Sequence, residues 1–207
     1  MPRVTDLCGI DLARLAAPAL AAIWRSARPF PHVVIDGFTS EEVRAALVGA
    51  LEDEPASVLR DEIFEMTASA VRVEDARLRA FHAALETPEV LGAIEALSGR
   101  RVTRADLRAF AYEPGHYLLP HTDHQEGIGR AVAYAFYLDT TPDLEGGELA
   151  LFECAEAGGE IVGARVAEVI APRANRIVLF EVGDRSLHEV REVTRGMRLS
   201  LAGWFYP

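Results

Sequence analysis

The sequence predicts an α+β fold with helices first and a β-sandwich or jelly roll after them. Two observations carry this. Up to residue 100, apolar residues recur at helical spacing behind capping signals. From residue 101 onward, short runs rich in Val, Leu, Phe and Tyr are separated by Gly, Pro, Asp or Asn. Helices and strands bunched in different halves of a chain segregate in space as well. The chain has 207 residues and half of them are hydrophobic. One domain over 1–207 is therefore expected, with 1–100 as helical support and lead-in and 101–207 as the strand-built core.

The elements follow in order. Residues 12–23 are apolar apart from Arg14 and Pro18 and read as an amphipathic packing segment. Pro31-His32-Val33-Val34-Ile35-Asp36 reads as a short strand. Thr39 and Glu42 form a capping-box pair for a helix whose apolar face is Val43, Leu47, Ala50 and Leu51. A second helix is expected near 74–86. A third has Thr87 as N-cap and Pro88 at its first position, carries Val90, Leu91, Ile94 and Leu97, and stops at Ser98-Gly99. Strands are expected near 104–112, 132–138, 148–152, 166–170, 176–181 and 197–206, punctuated by Thr141-Pro142-Asp143, Gly146-Gly147 and Gly183-Asp184. The Ala157–Glu160 stretch, with two central glycines, reads as a mobile loop.

Charge and cysteine use narrow the function classes. There are 32 acidic residues against 21 basic ones, a formal charge of −11. A nucleic-acid surface needs clustered Lys and Arg to neutralise phosphates, so that class is excluded. The acidity fits a solvated surface, and it also suits a basic partner. Cys8 and Cys154 are far apart with no CxxC pairing, which points to a reducing, cytoplasmic setting. No apolar run reaches about 18 residues, so no membrane span is expected. Met1–Ile10 lacks a basic-then-apolar signal pattern.

The chemistry-bearing element is His121-Thr122-Asp123. On an extended strand, residues i and i+2 share a face, so an imidazole and a carboxylate stand side by side about 6–7 Å apart at Cα. A strong site needs a third ligand from elsewhere. His188 qualifies because it follows the strand 176–181 and precedes the last one. Two His and one carboxylate on one side of a metal leave positions open opposite, which suits Fe(II) that must bind a co-substrate and O₂. His116 and His124 are nearby rivals read as rim residues, and His32 and His82 as packing or surface residues. The last strand, Arg198-Leu199-Ser200-Leu201-Ala202-Gly203-Trp204, alternates, so Arg198, Ser200, Ala202 and Trp204 share one face. An Arg on an inner face needs an anionic partner. A ligand carboxylate held bidentately by the guanidinium, with the Ser hydroxyl assisting, meets that need.

Together these pieces resemble the prolyl-hydroxylase branch of the Fe(II)/2-oxoglutarate oxygenases. Tyr112-Glu-Pro-Gly115 leading into His121 and Asp123 is similar to that branch's Tyr-x-x-Gly approach to HxD. Arg130 before Tyr137-Leu138, Gly146-Gly147-Glu148-Leu149, and Arg176 to Phe180 with His188, Arg198, Ser200 and Trp204 are similar to its later motifs, in order. Residues 28–38 resemble the lead-in of the small SM-20/Tpa1-type members. The likeness implies a double-stranded β-helix (jelly-roll, cupin-like) core with the N-terminal helices packed outside. It implies His121, Asp123 and His188 as iron ligands and Arg198 on the distal carboxylate of 2-oxoglutarate. Tyr112 and Tyr137 would donate to that co-substrate, Ser200 would assist, and Arg130 and Trp204 would lie at the substrate mouth. It further implies O₂ as oxidant and ascorbate as reductant, and the carboxylate of Asp123 favours hydroxylation over halogenation. The expected substrate is a prolyl or other residue of a protein or peptide, with a free amino acid or small metabolite as alternative. A jelly-roll metal-binding protein without oxygenase activity is the reading from another class. Substrate identity and oligomeric state lie beyond the sequence.

Overall fold

The structure, a computed structural model, describes residues 9–207; Cys8 and nearly all of Met1–Ile10 lie outside the described residues. The strands are β1 (His32–Asp36), β2 (Ala56–Asp61), β3 (Phe64–Ser69), β4 (Arg104–Ala105), β5 (Arg108–Tyr112), β6 (Tyr117–His121), β7 (Val132–Thr140), β8 (Leu149–Ala157), β9 (Glu160–Ile170), β10 (Arg176–Glu181), β11 (His188–Val190) and β12 (Arg198–Tyr206). They form one antiparallel sheet in the order β1-β10-β7-β12-β5-β3-β6-β11-β8-β9, with β2 on β3 and β4 on β12. The two ends of that order meet. His32 on β1 lies 3.1 Å from the Glu168 carboxylate on β9, and the Phe180 ring on β10 packs 4.7 Å from the His188 ring on β11. The sheet has curled into the expected double-stranded β-helix, with one half of the sheet facing the other.

Strand alternation sorts the side chains into two layers. On β1, β10, β7 and β12, one face presents Val33, Ile35, Ile177, Leu179, Phe136, Leu138, Leu201 and Phe205 to the helices. The opposite face turns Val34, Val178, Phe180, Ala133, Ala135, Tyr137 and Trp204 inward. Five helices are described: α1 (Leu12–Leu15), α2 (Pro18–Ser26), α3 (Glu41–Asp53), α4 (Ala76–Leu85) and α5 (Pro88–Ser98). Leu47 and Ala50 of α3, Leu78, Phe81 and Leu85 of α4, and Val90, Ile94 and Leu97 of α5 are buried in the outer layer.

Local chemistry sets most boundaries. The Thr87 hydroxyl accepts from Val90 N–H, Pro88 opens α5, and Gly99 at φ +71° closes it, as expected. At α3 the cap is Ser40, which accepts from Val43 N–H, and not Thr39. Thr39 is engaged with Asn175, accepting the side-chain N–H on its carbonyl at 2.7 Å and donating its own N–H at 2.9 Å. The 12–23 segment is two helices, with Pro18 at the first position of α2.

Three further expectations change. The β2–β3 hairpin was not foreseen in the helical half, because Ala56–Asp61 is exposed almost throughout and shows no alternation to read. The extended stretch expected through His121-Thr122-Asp123 is β6, and it ends at His121. The Ala157–Glu160 stretch is the tight turn of the β8–β9 hairpin, its two glycines at φ +65° and +86°. Positive φ at both central residues is what a two-residue hairpin turn requires.

Phe136 of β7 is fully buried, edge-on to Phe38 at 5.2 Å and stacked on Phe81 at 5.8 Å. It joins the sheet to both the β1–α3 link and α4. Phe136→Ala is expected to lower unfolding stability in urea by about 3–5 kcal/mol, the cost of an aromatic-sized core cavity.

Candidate metal and co-substrate site

Register brings the expected metal ligands together. His121, the last residue of β6, is directly opposite His188, the first of β11, and the next partners in that row are Leu151 on β8 and Glu168 on β9. The two imidazoles lie 4.3 Å apart between centroids. Asp123 sits beyond the end of β6, not on the strand as the HxD spacing suggested. The chain turns inward there, placing Oδ1 3.7 Å from His121 Nε2 and Oδ2 3.6 Å from His188 Nε2. One ligand atom from each of His121, Asp123 and His188 falls within 4.8 Å of the others.

Both histidines are pre-oriented. His121 Nδ1 donates to the Leu119 carbonyl at 2.9 Å and His188 Nδ1 to the Ser186 carbonyl at 2.8 Å. A carbonyl oxygen can only accept, so the ring proton is on Nδ1 and the Nε2 lone pair faces the carboxylate. This backbone support fixes the tautomer a metal ligand needs. His188 is 5% exposed, and burial pushes its pKa down to about 4, against the opposing pull of Asp123. The neutral, metal-ready imidazole is therefore the resting form.

The expected co-substrate residues converge on the inner face of β5, β7 and β12. Arg198 pairs with Tyr112 on β5, and Ser200 with Tyr137 on β7. The Arg198 guanidinium lies 4.2 Å over the Tyr112 ring and 5.0 Å over that of Tyr137. Arg198 is 3% exposed, makes no ion pair among the described residues, and leaves Nε without a hydrogen-bond partner. The Tyr137 hydroxyl, fully buried, is likewise without one. Tyr112 donates to Met66 Sδ at 3.5 Å. Burial raises both phenols, Tyr112 to about 12, so they stay protonated as donors.

The contrast with Arg176 is informative: that buried guanidinium is matched by both Asp36 oxygens at 2.6 and 2.9 Å. Arg198 keeps its charge underground beside two phenols, with no acid opposite it among the described residues and its Nε unpartnered, which fits a carboxylate ligand. Gly147 makes the approach possible, since a Cβ there would come within 3.1 Å of both Arg198 Cδ and Val193 Cγ2. A Cβ on Gly146 would lie 1.9 Å from the Glu192 carbonyl oxygen.

The remaining sequence-predicted residues divide. Arg130 stacks 3.7 Å over the Trp204 ring and donates to the Asp123 carbonyl at 3.2 Å, and Arg130 Nε and Trp204 Nε1 are buried without partners. His124 is a rim residue, paired with exposed Asp184 at 3.3 Å. His116 is not on the rim; it is buried, and its Nδ1 accepts from Glu113 N–H to brace the turn before β6. His32 is buried in packing and His82 bonds the Ala105 carbonyl through Nε2 at 3.0 Å. Sequence reasoning missed Phe180, whose ring backs His188; a Phe in an apolar strand carries no mark of such a contact.

In metal-free protein, His188 should make stability acid-sensitive. The unfolded chain takes up a proton near the ordinary value of 6.5, the folded one only near 4. Stability is therefore complete above that window, declines as pH falls through it, and loses nothing further from this group below it. Thermal melts in chelator across the window should show the decline, and His188→Gln should flatten it.

Comparisons with known proteins follow this geometry. The sequence model of the 2OG-Fe(II) oxygenase superfamily matches residues 107–206. A mouse protein, prolyl 3-hydroxylase OGFOD1, is 36% identical over 104 residues, covering 49% of this chain and 18% of the mouse protein. The match thus spans under a fifth of that relative's length. The crystal structure of a Pseudomonas putida prolyl-4-hydroxylase superposes with TM-score 0.66 at 24% identity, covering 90% of this chain and 98% of that one. A Trichoplax adhaerens prolyl hydroxylase, in complex with a hypoxia inducible factor peptide fragment, superposes with TM-score 0.68 at 18% identity, covering 94% and 90%. These solved structures share the fold. With the family model lying over β5 to β12, where the His/Asp/His cluster and Arg198 are found, residues 107–206 form a region of the 2OG-Fe(II) oxygenase superfamily, similar in sequence to a prolyl hydroxylase.

Proposed function

We propose that the chain is an Fe(II)- and 2-oxoglutarate-dependent dioxygenase that hydroxylates an unactivated C–H bond in a prolyl or other residue of a protein or peptide. The observation that carries this reading is the Arg198 guanidinium, buried beside Tyr137 without an acid opposite it, in the same jelly-roll core as a His/Asp/His cluster. A metal-binding protein without a co-substrate has no use for a buried, unpaired cation there. The peptidyl substrate is supported by the mouse relative, a prolyl 3-hydroxylase, and by the peptide in the T. adhaerens complex. Ascorbate as reductant and a cytoplasmic setting complete the reading.

In this mechanism His121, Asp123 and His188 would hold the iron on one side. Fe(II) bound there supplies, with 2-oxoglutarate and O₂, the oxidising power to hydroxylate a C–H bond, with succinate and CO₂ as co-products. The protein's own part is binding and orientation. Arg198 takes the distal carboxylate, Ser200 and the phenols of Tyr112 and Tyr137 donate to it, and the apolar walls of Leu149 and Val190 keep water out. Arg130 and Trp204 present two N–H donors at the mouth, where a substrate carbonyl would accept them.

Three measurements test the reading. Anaerobic addition of Fe(II) and 2-oxoglutarate should produce a visible metal-to-ligand charge-transfer band; folded, iron-loaded protein without it would favour the non-oxygenase alternative. Asp123→Ala should abolish oxygen-dependent succinate formation. Arg198→Ala should weaken 2-oxoglutarate binding by about 2–5 kcal/mol, the loss of a buried charge-assisted pair, and an unchanged affinity would remove Arg198 from the co-substrate site.

A further inference from the structure

We infer that Arg108 anchors the substrate by pairing with a carboxylate on the molecule that this site oxidises; the inference rests on the oxygenase reading above.

The placement comes from register. Arg108, Phe110 and Tyr112 alternate along β5, opposite Ala202, Ser200 and Arg198 of β12. They share one face, and Tyr112 on that face closes over Arg198, so Arg108 belongs to the inner face as well. Its row lies one inner position from that of Ser200 and one from that of Trp204, between the co-substrate end and the mouth. The row continues through Ala202 to Ala135 on β7. Both alanines are partly exposed, while Phe136 and Leu201 beside them on the outer face are fully buried. Inner residues on the two central strands that solvent can reach mean an open pocket above them. Arg108, Phe110 and Trp204 form its rim, each partly exposed.

The chemistry of the rim is one-sided. Arg108 Nε donates to the Ser69 carbonyl at 2.6 Å, and its guanidinium centre stands 5.8 Å from the Phe110 ring centroid. It makes no ion pair among the described residues, in a chain with 32 acidic residues. Partial burial disfavours its charge, with no acid nearby to compensate. The Ser69 carbonyl and the Phe110 ring position the guanidinium and leave the outer edge of the fork open. Where this fold uses an inner arginine structurally, as with Arg176, it supplies a carboxylate. A planar carboxylate is the group that a free guanidinium edge matches bidentately. It is either the α-carboxylate of a free amino acid or an acidic side chain in a peptide.

The test follows arginine Nε–Hε signals in the ¹⁵N-labelled 207-residue chain loaded with Zn(II). The Arg198 signal, shifted by 2-oxoglutarate, reports on the oxygenase reading independently. With 2-oxoglutarate in place, sodium acetate is then added. The Arg108 signal, identified by its absence from Arg108→Gln, is expected to move saturably. Carboxylate affinity read by tryptophan emission should fall about tenfold or more in Arg108→Gln and be largely kept in Arg108→Lys, which retains the charge. A motionless Arg108 signal at saturating 2-oxoglutarate, or equal affinity in wild type and Arg108→Gln, would overturn the assignment. Tighter binding of free L-proline than of N-acetyl-glutamyl-prolinamide assigns the α-carboxylate, and the reverse assigns the acidic side chain.

Discussion

A guanidinium buried without a counter-ion is the constraint on which the rest of this structure depends. Arg198 is 3% exposed, and an isolated charge in such a place is expensive unless something pairs with it. The surrounding residues are all arranged to tolerate it. Tyr112 and Tyr137 face it with their rings, which soften the charge. The Gly146-Gly147 turn gives up its side chains so that the chain passes close beside it. β12, which carries it, is paired on both sides, by β5 and by β7. The fold holds a costly electrostatic arrangement in place, as the proposed co-substrate site requires.

The metal-binding end depends on a different economy of means. His121 and His188 come from strands far apart in sequence, yet antiparallel pairing sets them face to face. A register shift lies between His188 and Val190. It lets Leu118 and His121, three residues apart, both point inward, which strict alternation would forbid. The opposing half of the sheet contributes Phe180, an apolar backing that helps to keep His188 dry and neutral.

Much of this was legible in the sequence, and the limits have physical causes. The α5 boundaries were readable because Thr87, Pro88 and Gly99 each carry a local backbone preference. The alternation of Arg198, Ser200 and Trp204 placed them correctly, because a strand period of two leaves little choice. Thr39 was misread as a cap because Thr39 and Ser40 have the same capping chemistry, and the competing partner, Asn175, is distant in sequence. The β2–β3 hairpin was invisible because its outer strand is solvated on both faces and needs no pattern. His116 looked like a rim residue from its glycine neighbour, whereas its ring is committed to the backbone of Glu113. Residues such as Phe180 and Arg108 draw their significance from cross-strand neighbours, which only the three-dimensional register reveals.

The backbone tethers on the two ligating imidazoles have a consequence for metal identity. With Nδ1 of each ring tied to a carbonyl two residues upstream, both lone pairs are already aimed inward before any ion arrives. Such a socket is ready for whichever divalent ion reaches it first. The stability order of first-row metals places copper and zinc above iron for these donors. Selectivity for iron then cannot reside in the three ligands. It has to come from the supply of metals around the protein, with the co-substrate proposed for Arg198 adding a preference only once an ion is seated.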